Sequence, residues 1–95
     1  MVKKPVVSIV MNCHNGEKYL VEAIKSILKQ TFKNWELIFW NNSSNDKSEE
    51  IFKSFKDRRF RYFYTSKKES LYLSRNAAVK KARGKFIAFL DVDYI

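Results

Sequence analysis

Two carboxylates one residue apart, Asp91 and Asp93, follow an apolar run over residues 86–90. Oxygen ligands spaced in this way, where an apolar strand gives way to a loop, suit a hard divalent cation that also holds a phosphate. The chemistry indicated is that of a nucleoside diphosphate. Side chains on a strand alternate between its faces, so Asp91 and Asp93 share a face only while the chain is still extended there. Acidic residues also commonly terminate strands, and that alternative stays open for the pair taken alone.

Two further polar clusters follow apolar runs. Residues 12–15, Asn-Cys-His-Asn, come after the β-branched stretch 6–11, and residues 41–45, Asn-Asn-Ser-Ser-Asn, come after the apolar stretch 35–40. Both stretches have the length and composition of strands. Between them Tyr19, Leu20, Ala23, Ile24, Ile27 and Leu28 recur at helical spacing and define an apolar face, with Glu17, Lys18, Glu22, Lys25 and Lys29 turned to water. Asp46 with Glu49 resembles a capping pair that opens a second helix running through Phe55. Residues 60–64 read as a third strand of edge character, and Ser70 can cap a third helix. In that helix Ala77, Ala78 and Ala82 allow close packing, and Lys80, Lys81, Arg83 and Gly84 mark its end. The strand at 86–90 follows directly.

Strands alternating with helices of this length imply parallel pairing through right-handed crossovers, hence an open three-layer α/β sheet that is mainly parallel. Ligands bind such sheets outside the carboxyl ends of the strands, where the strand order reverses. The three polar clusters all fall at carboxyl ends, and their convergence is the main functional argument.

Composition bounds the reading. The chain has 95 residues, 45% of them hydrophobic, with two Gly and one Pro. It therefore reads as one small folded unit without a linker or internal repeat. The formal charge of +9, from 19 Lys and Arg against 10 Asp and Glu, calls for an anionic partner: nucleotide phosphates, nucleic acid or an acidic membrane face. The single Cys13 excludes an internal disulfide, and no Cys/His cluster has zinc spacing, which suits a reducing cytoplasm. Lys3 and Lys4 precede an apolar stretch too short for a signal peptide or a span, so any membrane contact would be peripheral.

Five stretches in order carry a family resemblance. They are 7–15 (Val-Ser-Ile-Val-Met-Asn-Cys-His-Asn), 27–32 (Ile-Leu-Lys-Gln-Thr-Phe), 36–46 (Glu-Leu-Ile-Phe-Trp-Asn-Asn-Ser-Ser-Asn-Asp), Ser74-Arg75-Asn76, and Ala82-Arg83-Gly84 leading to 86–93. Together they resemble the N-terminal part of a family 2 glycosyltransferase of GT-A fold, with its apolar strand into Asp-x-Asp. The resemblance spans essentially the whole chain. It implies that residues 1–95 form the Rossmann-like, nucleotide-sugar-binding half of such an enzyme and stop just after the Asp-x-Asp motif, as a cloned fragment or a truncated product.

By the same resemblance, Asn12, His14 and Asn41 match positions that cradle the nucleoside, and Arg75 matches an Arg near the donor nucleotide. Asp91 would touch the ribose or a metal-bound water, and Asp93 would bind Mg²⁺ or Mn²⁺ directly, the metal bridging both phosphates of a UDP-sugar. Such a metal stabilises the leaving diphosphate without proton transfer. The implied activity is inverting transfer to a glycan or lipid-linked acceptor. Its catalytic base lies beyond residue 95 in the family, so no catalytic residue is expected here and the 95 residues alone are expected to bind donor without efficient transfer. Asn41 stands where the family usually has a carboxylate, which leaves the base preference open.

A competing reading from composition is a small basic nucleic-acid-binding domain that uses the lysines with Phe60, Tyr62, Phe63, Tyr64 and Tyr72. It requires these aromatics to be presented to solvent. The apolar strand at 86–90, in the resembled fold, would have an open outer edge, and self-association through that edge and the residues Phe86, Ile87, Phe89 and Ile95 is expected.

Overall fold

The computed structural model describes the backbone of residues 4–93 and the side chains of residues 4–92. Its elements in chain order are β1 (Val7–His14), α1 (Glu17–Leu28), β2 (Trp35–Asn42), α2 (Ser48–Ser54), β3 (Phe60–Thr65), α3 (Leu71–Val79) and β4 (Phe86–Asp93). The strands form one sheet in the order β3-β2-β1-β4, and each neighbouring pair is parallel. The expected open, parallel α/β architecture is therefore present, with β1 and β4 adjacent. Two crossovers carry the chain from β1 outward to β3, and α3 then returns it to the far side of β1. Strand order reverses at β1, which sets a crevice at the carboxyl ends of the strands that flank it.

Alternation along the strands divides the core between two faces. On one, Met11, Leu37 and Phe39 pack with Leu20, Ile24 and Ile27 of α1 and with Phe52 of α2. Phe52 stacks on Phe39 at 4.1 Å between ring centroids. The α1 triad is almost fully buried, and each such side chain contributes about 1.5–3 kcal/mol relative to exposure. Tyr19, assigned by spacing to the same stripe, is half exposed. On the other face Val10, Ile38 and Ala78 form a thinner core beneath α3, flanked by Trp40, Phe63, Val79 and Ala82.

Three strands run further than their apolar composition predicts. β1 continues through the polar residues to His14, β2 to Asn42 and β4 through Asp93, because parallel pairing persists there. Asn12 pairs with Asp91, Cys13 with both Asn41 and Val92, and His14 with Asp93. The polar residues thus belong to the sheet and take their facing from it.

The helix ends differ in how their donors are satisfied. Ser70 caps α3 as expected, its hydroxyl accepting the Leu73 N–H at 3.2 Å. Asp46 and Glu49 do not form a capping pair: α2 starts at Ser48 with no side-chain cap at its preceding residue. Asp46 instead accepts the N–H groups of Ser48 at 2.9 Å and Glu17 at 3.1 Å, and so serves the starts of two helices. Glu49 is drawn away to the Tyr62 hydroxyl and to Lys53.

The turn into β4 approaches β1 closely. A Cβ at Gly84 would lie 2.7 Å from both the N and Oγ of Ser8, so only glycine fits beside that strand. Its N–H donates to Ser8 Oγ at 2.8 Å.

Candidate functional site

The carboxyl ends of β1 and β2 are stitched together by their own polar residues. Asn15, in a left-handed conformation at φ 52°, donates its N–H to Ser44 Oγ and accepts the Asn45 N–H at 2.8 Å. Asparagine tolerates that backbone region better than most residues. Gly16 donates to Ser48 Oγ at 3.0 Å. These bonds make the two loops one rigid rim. Cys13 lies beneath it, fully buried. Burial pushes its thiol above the ordinary range, opposed in part by hydrogen bonds from Ser48, Gly16 and Ser44.

Asn12, His14 and Asn42 share the α3 face of the sheet and, with residues 68–71 before and at the start of α3, line a cleft of about 280 Å³. That size is near the lower end of small-molecule pockets. Asn42 is nearly fully buried and holds the cleft wall by a two-point clamp: its Oδ1 accepts the Glu69 N–H and its Nδ2 donates to the Glu69 carbonyl, each at 2.8 Å. His14 Nδ1 donates to the Asn42 carbonyl at 2.7 Å, which leaves Nε2 as the acceptor facing Asn15 Nδ2 at 3.4 Å. Asn12 is buried to 1% exposure, and its Oδ1 has no donor among the described residues. A buried acceptor left unpaired costs about 1–3 kcal/mol, so this atom is a natural point for a ligand N–H.

Asp91 stands opposite Asn12 across the β1–β4 pair, on the same face. Arg75 of α3 reaches over that face to form an ion pair with Asp91, its guanidinium carbon 5.1 Å from the Phe89 ring centroid. Arg75 Nε is buried without a partner among the described residues. The register position of Asp93 falls opposite His14, while its side chain lies outside the described atoms.

Of the residues expected to bind donor, the structure brings together Asn12, His14, Arg75 and Asp91. Asn41 is not among them. It occupies the opposite face of β2, fully buried, where its Nδ2 donates to the Tyr62 hydroxyl at 2.9 Å and its Oδ1 accepts the Ser44 N–H at 3.0 Å. The Tyr62 hydroxyl in turn donates to Glu49, and burial with that carboxylate nearby pushes its pKa up to about 12. The cleft position belongs to Asn42. Period two carries the signal: Asn42 lies two residues from Trp40, which pairs with Asn12.

The expectation of a nucleic-acid platform meets the opposite placement of its aromatics. Phe60 and Tyr62 stack against Phe52, and Phe63 stacks against Trp40, so these rings serve the two cores. Only Tyr64 and Tyr72 of the proposed set are exposed.

Residues 8–95 match the model of the family described as "Glycosyl transferase family 2". The chain belongs to that family. An uncharacterized glycosyltransferase of Methanocaldococcus jannaschii is 46% identical over 96 residues, which cover 97% of this chain and 33% of that protein. The UDP-Glc:alpha-D-GlcNAc-diphosphoundecaprenol beta-1,3-glucosyltransferase WfgD of Escherichia coli is 39% identical over 90 residues, 95% of this chain and 36% of that one. The chain spans about a third of the length of such family members. Among solved structures, S. aureus TarS 1-349 in complex with UDP superposes with a TM-score of 0.86 at 25% identity, over 92% of this chain and 27% of that one. The mannosyltransferase PcManGT of Pyrobaculum calidifontis, solved with GDP-Man and Mn²⁺, has a TM-score of 0.85 at 15% identity, over 96% of this chain and 28% of that one, a likeness of fold.

Asp91, a carboxylate on the cleft face of the sheet, is the kind of oxygen donor that a divalent cation such as Mg²⁺ or Mn²⁺ takes. Among the described residues no group of three or more His, Cys, Asp or Glu side chains converges on a metal position. A cation held by one or two carboxylates, with water and phosphate oxygens completing its shell, needs no such group. Asp91 already attracts a positive charge, that of Arg75.

Proposed function

We propose that the chain is the donor-binding part of a glycosyltransferase that uses a nucleoside-diphosphate sugar, a UDP-sugar in particular. The observation that carries this reading is the orphaned, buried Oδ1 of Asn12 in a cleft of about 280 Å³, with Asp91 directly opposite Asn12 in the register. A base N–H satisfies that acceptor, with the His14 ring beside it and Asn42 holding the wall. Asp91 meets the ribose or a metal-bound water, and Arg75 meets a phosphate or ribose edge. Asp91 and Asp93 are the residues that would hold Mg²⁺ or Mn²⁺. When bound, that ion neutralises charge developing on the departing diphosphate.

Transfer is inverting and goes to a glycan or lipid-linked acceptor. The residues gathered at this edge are assigned to the donor, and none of them is assigned as the base that deprotonates the acceptor. Support for a lipid-linked acceptor comes from the name of WfgD, and the +9 charge suits a peripheral contact with the anionic inner face of a membrane from the cytoplasm. Among the described residues no helix is long and apolar enough to cross a membrane.

Calorimetric titration with UDP, with and without MnCl₂, tests the reading on the wild-type chain and on Asp93→Ala. Metal-dependent UDP binding is expected for the wild type and is lost in the variant, whose folding is checked by circular dichroism. Equal binding by both removes Asp93 as a metal ligand. Absence of UDP binding by the wild type with Mn²⁺ overturns the donor assignment.

A further inference from the structure

We infer that Arg75 is a charge latch: in the ligand-free chain its guanidinium holds the cation position on Asp91, and the donor diphosphate draws it away, so that nucleotide and metal bind cooperatively. This rests on the donor-binding reading above.

Three observations support the latch. Arg75 sits on α3 and Asp91 on β4, and the ion pair between them spans the face on which Asn12 and the cleft lie. The guanidinium is incompletely satisfied, since Arg75 Nε is buried with no partner among the described residues. A guanidinium prefers two parallel bonds to an anion, and a phosphate offers the bidentate set that the single contact with Asp91 lacks. Thirdly, Phe89 lies 5.1 Å from the guanidinium carbon and gives it an apolar surface on which to pivot while it remains charged.

The two positive groups cannot share Asp91 without repulsion. A cation arriving alone must displace Arg75 and leave it with no anion. A nucleotide diphosphate removes that obstacle by supplying one. Nucleotide therefore raises metal affinity through Arg75, and by linkage metal raises nucleotide affinity through the same residue by the same factor. Direct contact between the two ligands would couple them as well, so the latch is the part of the coupling that depends on the charge at position 75.

Free Mn²⁺ measured by electron paramagnetic resonance gives the metal affinity of the 95-residue chain directly, with and without UDP. Arg75→Met, which keeps side-chain length and removes the charge, is expected to bind Mn²⁺ alone about tenfold more tightly than the wild type, with UDP–Mn²⁺ coupling weaker by the same factor. Arg75→Lys retains the charge and is expected to bind Mn²⁺ alone as weakly as the wild type. Circular dichroism establishes that each variant is folded, and Arg75→Gln replaces Arg75→Met if that variant is not. Unchanged or weaker Mn²⁺ binding by the neutral variant in the absence of UDP overturns the latch. If the wild type shows metal-dependent UDP binding while the neutral variant shows no gain, the latch falls and the donor reading stands. If the wild type binds no UDP with Mn²⁺, both fall.

Discussion

Asn41 and Asn42 are chain neighbours whose side chains serve opposite faces of β2. Asn41 bonds Tyr62 and Ser44 within the larger core layer, whereas Asn42 clamps the backbone of Glu69 at the wall of the cleft. One residue of register separates a packing role from a site role.

That division can be measured. Asn42→Ala leaves both backbone groups of Glu69 without their partner, and we expect nucleotide affinity to fall about tenfold as the cleft wall loosens, a change of about 1.4 kcal/mol. Asn41→Ala is expected to lower stability by about 1–3 kcal/mol, through unpaired groups at Ser44 and Tyr62, with nucleotide affinity changed less than twofold. Urea denaturation and UDP calorimetry on both variants decide it. Equal affinity losses would show that the two faces are not separated in function.

At the amino end of the same α3 face, Glu36 is buried to 2% exposure. It accepts the Ser8 hydroxyl at 2.6 Å, the Arg83 N–H at 2.7 Å, and side-chain bonds from Arg61 at 3.0 Å and Arg83 at 3.1 Å. Burial raises its pKa, but the bonds from Ser8, Arg83 and Arg61 outweigh it and hold the carboxyl below its ordinary 4.5. Its folded-state pKa is thus depressed. The stability it contributes is present in full above the unfolded value and is lost as pH falls through the lower folded value. We expect urea midpoints of the wild type to drop on acidification below about pH 4.5, and Glu36→Gln to remove the share of that slope due to this residue. An identical acid slope in the variant would assign the acid sensitivity to other carboxylates.

Among the described residues β4 is an edge strand, with Phe86, Ile87 and Phe89 exposed at 61%, 38% and 50%. Unpaired amides beside apolar side chains form a template for another strand. Ile95, expected on the same surface, lies outside the described residues. The 95-residue chain is expected to self-associate through this edge, with apparent mass rising with concentration in light scattering, and Phe86→Lys is expected to shift it toward monomer. A wild-type monomer at high concentration would contradict this.

The alternation of apolar runs and helical stripes was enough to predict a parallel α/β sheet and the convergence of polar residues at its carboxyl edge, because period and length report directly on element type. Motif order was enough to place the chain among family 2 glycosyltransferases. Asn12, His14 and Asp91 stood out as polar residues that follow apolar strands, whereas Arg75, on α3, and the donor-binding roles of all four were named through the family resemblance. The sequence did not reveal which of Asn41 and Asn42 faces the cleft, since that depends on how far β2 stays paired with β1 beyond its apolar run. Nor did it reveal that Asp46 serves two helix starts, that Glu36 ties Ser8 to Arg83, or that Arg75 rests on Asp91. Apart from the local bond between Asp46 and Ser48, those contacts join residues 16 to 47 positions apart, and only the packed sheet with its two helix layers brings them within hydrogen-bond reach.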